Sequence, residues 1–128
     1  MKQFKYSIFT PEHSPGNILF LLELYESICT QTYTNWEWIL YLNNKCLPEN
    51  IPDKIRNNPK VKVICVGDTN SNVGALKKEA CKYATGDVLV EADHDDILTP
   101  DCLEELNIAF QEDEVGFVYS DNAVLHMK

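Results

Sequence analysis

Four carboxylates fall within six residues at Glu91-Ala92-Asp93-His94-Asp95-Asp96. They follow directly on an apolar run, Asp87–Ala92 (DVLVEA), and would repel one another unless something positive sits among them. Carboxylate oxygens are the ligands that hard cations select, so the chemistry this cluster suggests is binding of Mg²⁺ or Mn²⁺. Magnesium is usually held by one or two carboxylates together with phosphate oxygens of a substrate. The competing reading is a solvated acidic turn before a helix, where Asp is a favoured capping residue. What separates the two is where the turn lies in the fold.

Strand and helix patterns alternate along the chain. Tyr6–Thr10 reads as a first strand, followed by a loop at Thr10-Pro11-Glu12-His13-Ser14-Pro15-Gly16, where two prolines and a glycine break pairing. Ile18, Leu21, Leu22, Tyr25, Ile28 and Cys29 recur at helical spacing, predicting a helix that ends near Gln31. Trp36–Leu42 (WEWILYL) is a second strand, apolar throughout except for Glu37, and Asn43-Asn44-Lys45 closes it as a turn. Residues 48–58 predict a short irregular helix and a loop, and Val61–Val66 a third strand. Val73, Leu76, Ala80, Tyr83 and Ala84 form the apolar face of a helix that Gly86 stops. Asp87–Ala92 is a fourth strand. Thr99 is placed as an N-cap with Pro100 at the first helical position, for a helix running to about Gln111. Val115–Ser120 is a fifth strand.

This β-α-β-(α)-β-α-β-α-β order predicts one α/β domain over residues 1–128, with crossover connections and a mainly parallel sheet covered on both faces. Ligands of such sheets bind at the carboxyl ends of the strands. The acidic turn stands at one of those ends, which favours the metal reading. Trp36 and Trp38 point to the same side of their strand and read as packing residues, as do Tyr33 and Tyr83.

The formal net charge is −9. Acidity of that size argues against nucleic acid or an anionic membrane as partner, but a bound cation can reverse the field locally and admit a phosphate ligand. Five scattered cysteines, Cys29, Cys46, Cys65, Cys81 and Cys102, include no C-x-x-C pair. They read as reduced thiols of a cytoplasmic protein, most of them small core residues. Neither a signal peptide nor a membrane-spanning run is expected: the opening residues have no long apolar region, and the most apolar stretch, Ile18 to Leu24, is interrupted by Glu23. No P-loop sequence occurs, and Asn72-Val73-Gly74 is not a dinucleotide fingerprint. A receiver-like signalling domain would need acids at the end of its first strand, and Tyr6-Ser7-Ile8-Phe9-Thr10-Pro11 has none.

Four segments, in order, resemble the family 2 glycosyltransferases, enzymes of GT-A fold that use nucleotide-activated sugars. They are Tyr6-Ser7-Ile8-Phe9-Thr10-Pro11; Ser27-Ile28-Cys29-Thr30-Gln31-Thr32-Tyr33-Thr34-Asn35-Trp36-Glu37; Asn72-Val73-Gly74-Ala75-Leu76-Lys77; and Ala84-Thr85-Gly86-Asp87 with Glu91 to Asp101. The resemblance implies a three-layer α/β/α, Rossmann-like GT-A fold. It implies that Thr10, Pro11 and Glu12 line a nucleoside pocket, and that Gly74 and Lys77 lie near the diphosphate. Asp93 and Asp95 would form the D-x-D motif, with Asp95 or its neighbour Asp96 reaching a Mn²⁺ or Mg²⁺ ion. His94 fills the variable place in that motif. His13, in the first loop, could touch the nucleotide or be merely exposed.

Two departures from the family qualify this. Relatives carry an acidic turn after the second strand that contacts the base, whereas here it is Asn43-Asn44-Lys45. An amide still offers both a donor and an acceptor to a pyrimidine, so a UDP-sugar stays the first expectation without being fixed. Second, GT-A domains continue well past the position of Lys128, and the absent part supplies the acceptor site and the catalytic carboxylate of inverting members. The expectation is therefore a truncated domain, either a fragment of a longer protein or a reduced domain that needs a partner. Asp121 is the one late candidate for the base, and a nucleotide-sugar-binding module without turnover is the alternative function.

Overall fold

The structure, a computed structural model, describes residues 2–12, 18–42, 48–65, 78–93, 96–111, 117–119 and 124–127. Its centre is a six-stranded sheet built from β1 (Tyr6–Glu12), β2 (Trp36–Leu42), β3 (Val61–Cys65), β4 (Val88–Glu91), β5 (Phe117–Tyr119) and β6 (Val124–Met127), in the order β3-β2-β1-β4-β6-β5. The first four are mutually parallel, while β6 runs antiparallel to both β4 and β5. The expected mainly parallel α/β sheet is present. The antiparallel strand Val124–Met127 is an addition that the alternation of patterns did not predict.

Strand β2 is buried at every position, as a central parallel strand covered on both faces must be. Its alternate residues feed two cores. Trp36, Trp38, Leu40 and Leu42 join Tyr6, Ile8, Val88 and Val90 under three helices: α1 (Ile18–Cys29), α2 (Asp53–Arg56) and α3 (Cys102–Ala109). Ile39 and Tyr41 join Phe9 on the opposite face, against Ala80 of the helical residues 78–81. Helices thus cover both faces, giving the three-layer arrangement. The two tryptophans share one core as expected, and Trp38 stacks on Tyr25 with ring centroids 6.1 Å apart. Tyr33 packs against the same core, meeting Tyr6 edge-on at 5.3 Å.

Several expectations need correcting. Strand β1 does not stop at Thr10 but runs on through Pro11 and Glu12. The oxygens of Lys5 and Phe9 accept hydrogen bonds from the β4 side, and peptide groups alternate along a strand, so the missing N–H of Pro11 faces that same side. Pairing with β4 ends at Phe9, so the ladder loses nothing. On α1 the buried face is Leu21, Leu24, Tyr25, Ser27 and Ile28, while Ile18 and Cys29 are exposed; the stripe is rotated toward Leu24. Tyr83 is exposed rather than packed inside, resting against Tyr41. Of the four described cysteines only Cys102 is buried, and burial, with Asp101 adding to it, pushes its thiol up to about 11.

Helix α3 begins at Cys102 rather than beside Pro100, and its cap is not Thr99. Asp101 stands at the N-cap position without a side-chain capping bond. One of the orphan donors of the first turn, the Leu103 N–H, is met instead by Gln31 Oε1 at 2.9 Å, from the end of α1. The helix expected to stop at Gly86 ends at Cys81 instead, and Gly86 serves the sheet. A Cβ there would stand 2.6 Å from both the Lys5 oxygen and Ser7 Oγ, so only glycine lets the chain pass so close to β1.

Candidate functional site

The parallel register sets the carboxyl ends of β1, β2 and β3 side by side: Glu12 pairs with Leu42, and Leu42 with Cys65. Strand β4 stops lower, at the level where Glu91 pairs with Phe9. Extending that register by two places sets Asp93 level with Pro11. The acidic turn therefore leaves the sheet beside Thr10, Pro11 and Glu12, at the edge where parallel α/β sheets bind ligands.

The amino-side stem of the turn is fixed by the sheet. The Ala92 N–H donates to the Phe9 oxygen at 3.1 Å. Thr10 Oγ1 donates to the Ala92 oxygen at 2.6 Å and accepts from the indole Nε1 of Trp38 at 2.9 Å. Thr10 is fully buried, so its hydroxyl braces β1 to β2 and β4. Glu12 is buried and Pro11 half-buried. Within the turn, the Asp93 N–H donates to Asp96 Oδ2 at 2.8 Å and the Asp96 N–H to the Asp93 oxygen at 2.9 Å. These two bonds tie the Asp96 carboxylate and N–H to the backbone of Asp93.

The carboxyl-side stem is held by α1. Ser27 Oγ accepts from the Leu98 N–H at 3.1 Å, and Gln31 Nε2 donates to the Thr99 oxygen at 2.6 Å. The Thr32 N–H donates to the Pro100 oxygen at 2.9 Å. Both Ser27 and Gln31 belong to a segment that carries the family resemblance, yet nothing in their residue types alone assigned them this task.

The donor set suits a hard cation. Among the described residues no three His, Cys, Asp or Glu side chains converge on a point. Asp93 and Asp96 are a carboxylate pair at the exposed edge of the sheet, which matches the one or two carboxylates with which Mg²⁺ is commonly held alongside phosphate. Asn43, Asn44, Gly74, Lys77, Asp95 and Asp121 lie outside the described residues, as do His13 and His94. An open groove of about 560 Å³, largely apolar at Leu19, Leu22, Ile97, Leu98 and Pro100, also carries Glu23 and Glu26 in its lining.

A second buried cluster lies at the opposite, amino end of the sheet, and sequence reasoning passed over it. Glu37 accepts from Ser7 Oγ at 2.6 Å, from the Thr85 N–H at 2.7 Å and from Thr85 Oγ1 at 2.9 Å. Lys62 pairs with it at 2.9 Å and Lys5 at 3.5 Å. Burial alone would raise this carboxyl. The hydrogen bonds from Ser7, Thr85 and Lys62 outweigh burial and hold it down at about 2. Ser7 Oγ also accepts from the Gly86 N–H at 2.8 Å. The resemblance segments thus divide, with the Glu37, Thr85 and Gly86 positions locking the amino end and the Ser27, Gln31 and Asp93 positions building the carboxyl end.

Comparison with known proteins agrees with this architecture. The model of Glycosyl transferase family 2 matches residues 16–123, and the chain belongs to that family. It is 33% identical over 101 residues to the protein y4gI of Sinorhizobium fredii, covering 76% of this chain and 11% of that one. It is 26% identical over 121 residues to the O-antigen biosynthesis protein RfbC of Myxococcus xanthus, covering 90% of this chain and 9% of RfbC. The fold matches the 1–349 segment of S. aureus TarS with a TM-score of 0.75 at 22% identity, covering 88% of this chain and 34% of that segment. It also matches the mannosyltransferase PcManGT of Pyrobaculum calidifontis, solved in complex with GDP-Man and Mn²⁺, with a TM-score of 0.78 at 14% identity, covering 99% of this chain and 45% of that one. The fold is therefore that of GT-A glycosyltransferases. The chain spans about a tenth of the curated relatives it matches. No helix among the described residues is long and apolar enough to cross a membrane.

Proposed function

We propose that this chain is the donor-binding part of a glycosyltransferase, which moves a sugar from a nucleoside diphosphate to an acceptor hydroxyl with inversion at the sugar carbon. The observation that carries the reading is the acidic turn at the carboxyl end of β4, braced from both stems, in a chain of this family. Asp93, with Asp95 or Asp96, would hold Mn²⁺ or Mg²⁺. Once bound, the cation supplies positive charge where the departing diphosphate becomes more negative. The residues of the chain bind and orient the donor. Pro11 forms the rim against the nucleoside with Thr10 and Glu12 buried behind it, Asn43 and Asn44 offer amides to the base, and Gly74 and Lys77 serve the diphosphate. A TarS structure in complex with UDP-GlcNAc supports UDP as the first nucleotide to try. A carboxylate must take the proton of the acceptor hydroxyl; Asp121 is the candidate this chain offers. The exposed thiols suit a reducing, cytoplasmic setting, and a cell-surface polysaccharide is the product class that the likeness to RfbC favours.

The test is calorimetric titration of the chain with UDP in Mn²⁺ and again in EDTA, followed by GDP, dTDP and CDP. Binding that requires the metal is the expected result. A folded chain that binds none of the four in Mn²⁺ would refute the donor-site reading. Metal-dependent binding without sugar transfer to any acceptor would favour a binding module instead.

A further inference from the structure

We infer that Ser27 and Gln31 are positioning residues for the donor site, acting through the stem that follows the acidic turn; this rests on the donor-site reading above. Residues 96–99 have no helix or strand of their own, so their place is set by what they bond to. On the sheet side that is Asp93, bonded to Asp96, whose own stem at Ala92 is held to β1 by Thr10. On the other side it is the last turn of α1 and the residues just after it.

Gln31 is the centre of this second anchor. It is 5% exposed, and its one amide makes three bonds. Nε2 donates to the Thr99 oxygen at 2.6 Å and to the Ser27 oxygen at 3.0 Å, while Oε1 accepts from the Leu103 N–H at 2.9 Å. It therefore closes the end of α1, the start of α3 and the stem between β4 and α3 together. No other side chain of that size both donates and accepts in this way. A glutamate would set an acceptor against two carbonyl oxygens, and a methionine would fill the space with no bonds. Ser27 adds the acceptor for Leu98, two residues after Asp96. Because the Asp96 carboxylate and N–H are both bonded to the backbone of Asp93, a shift of Leu98 and Thr99 is passed to the Asp96 carboxylate and to the Asp93 backbone that carries the other.

The experiment compares the wild-type chain with Gln31→Met, Ser27→Ala and Ser27→Thr, well below their unfolding temperatures. Asn107→Leu is the control. Asn107 is 3% exposed and bridges Lys2, Phe4 and Tyr6, so its loss destabilises the fold away from the turn. Two quantities are read: hydrogen exchange at the Asp93 and Asp96 amides, and affinity for UDP in Mn²⁺. Exchange at both amides should speed up in Gln31→Met and Ser27→Ala. Affinity should fall about 10- to 100-fold, the usual effect of removing a group that orients metal ligands. Ser27→Thr, which keeps the hydroxyl, should restore it, and Asn107→Leu should leave it unchanged. Unaltered exchange in both variants, or unaltered affinity where the wild type binds, overturns the inference. Equal loss of affinity in Asn107→Leu reduces it to general stability and overturns it too. A wild type that binds no nucleoside diphosphate overturns the donor-site reading instead, and the exchange data alone then decide whether Gln31 positions the turn.

Discussion

Replacing Glu37 with glutamine should destabilise the fold strongly at neutral pH and less than half as much at pH 3. The carboxylate is enclosed at the amino end of the sheet by Ser7, Thr85, Lys62 and Lys5. It is held at about 2 against an ordinary 4.5, a difference worth about 3 kcal/mol of preference for the ionised form in the native state. A lowered carboxyl contributes stability that is fully present above its unfolded value and is lost as pH falls through the native one. Here the window runs from 4.5 down to about 2. A glutamine keeps the shape but turns one acceptor into a donor among donors. Glu37→Gln should therefore lose about 3 kcal/mol at pH 7, or about 10 °C in midpoint for a domain of this size. The assay is urea unfolding of both proteins from pH 7 to pH 3. The difference between them should shrink steadily below about pH 4.5 as the wild type protonates. A difference under about 1 kcal/mol at pH 7, or one that stays constant to pH 3, would refute the reasoning.

Substitutions at four further positions test the packing that positions the site, each read by chemical unfolding. Gly86→Ala places a methyl group 2.6 Å from the Lys5 oxygen and should cost about 3 kcal/mol, the upper part of the range for overpacking, since backbone yields less than a side chain. Thr10→Val keeps the shape but strands the Trp38 indole N–H and the Ala92 oxygen, both buried; a loss of about 2 kcal/mol is expected, and Thr10→Ser should recover most of it. Leu24→Ala should cost about 3 kcal/mol and Cys29→Ala next to nothing, because Leu24 is fully buried and Cys29 exposed. Equal costs would contradict the orientation of α1.

Much of this fold can be read from the residues because its signals are local and repeated. WEWILYL can only be a strand covered on both faces, and VKVIC and DVLVEA have the same apolar character. What the sequence left open depends on neighbours distant along the chain. Pro11 reads as a strand breaker until pairing with β4 is seen to end at Phe9. Thr99 and Pro100 read as a helix start, but the cap that matters comes from Gln31, far away in sequence. Leu24 and Cys29 flank Tyr25 and Ile28 on opposite sides of a helical projection, about 140° apart, and only tertiary contact decides which flank faces inward. Residues 124–127 pair antiparallel with β4, and a strand-helix alternation carries no hint of such a return. At the site, the acidic turn announced itself by charge density. Ser27 and Gln31 are small or uncharged, and their importance lies in carbonyl and amide partners that no residue pattern displays.

The measurement that goes most directly to the donor-site account is paramagnetic broadening of backbone amide signals in the labelled chain as Mn²⁺ is added with UDP. The account predicts that Asp93, Asp96, Ile97 and Leu98 broaden first, with Thr10 and Glu12 close behind. Lys5, Glu37, Thr85 and Gly86, at the other end of the sheet, should keep sharp signals at the same Mn²⁺ concentration. Broadening centred on that amino end, or uniform broadening that UDP does not change, would contradict it.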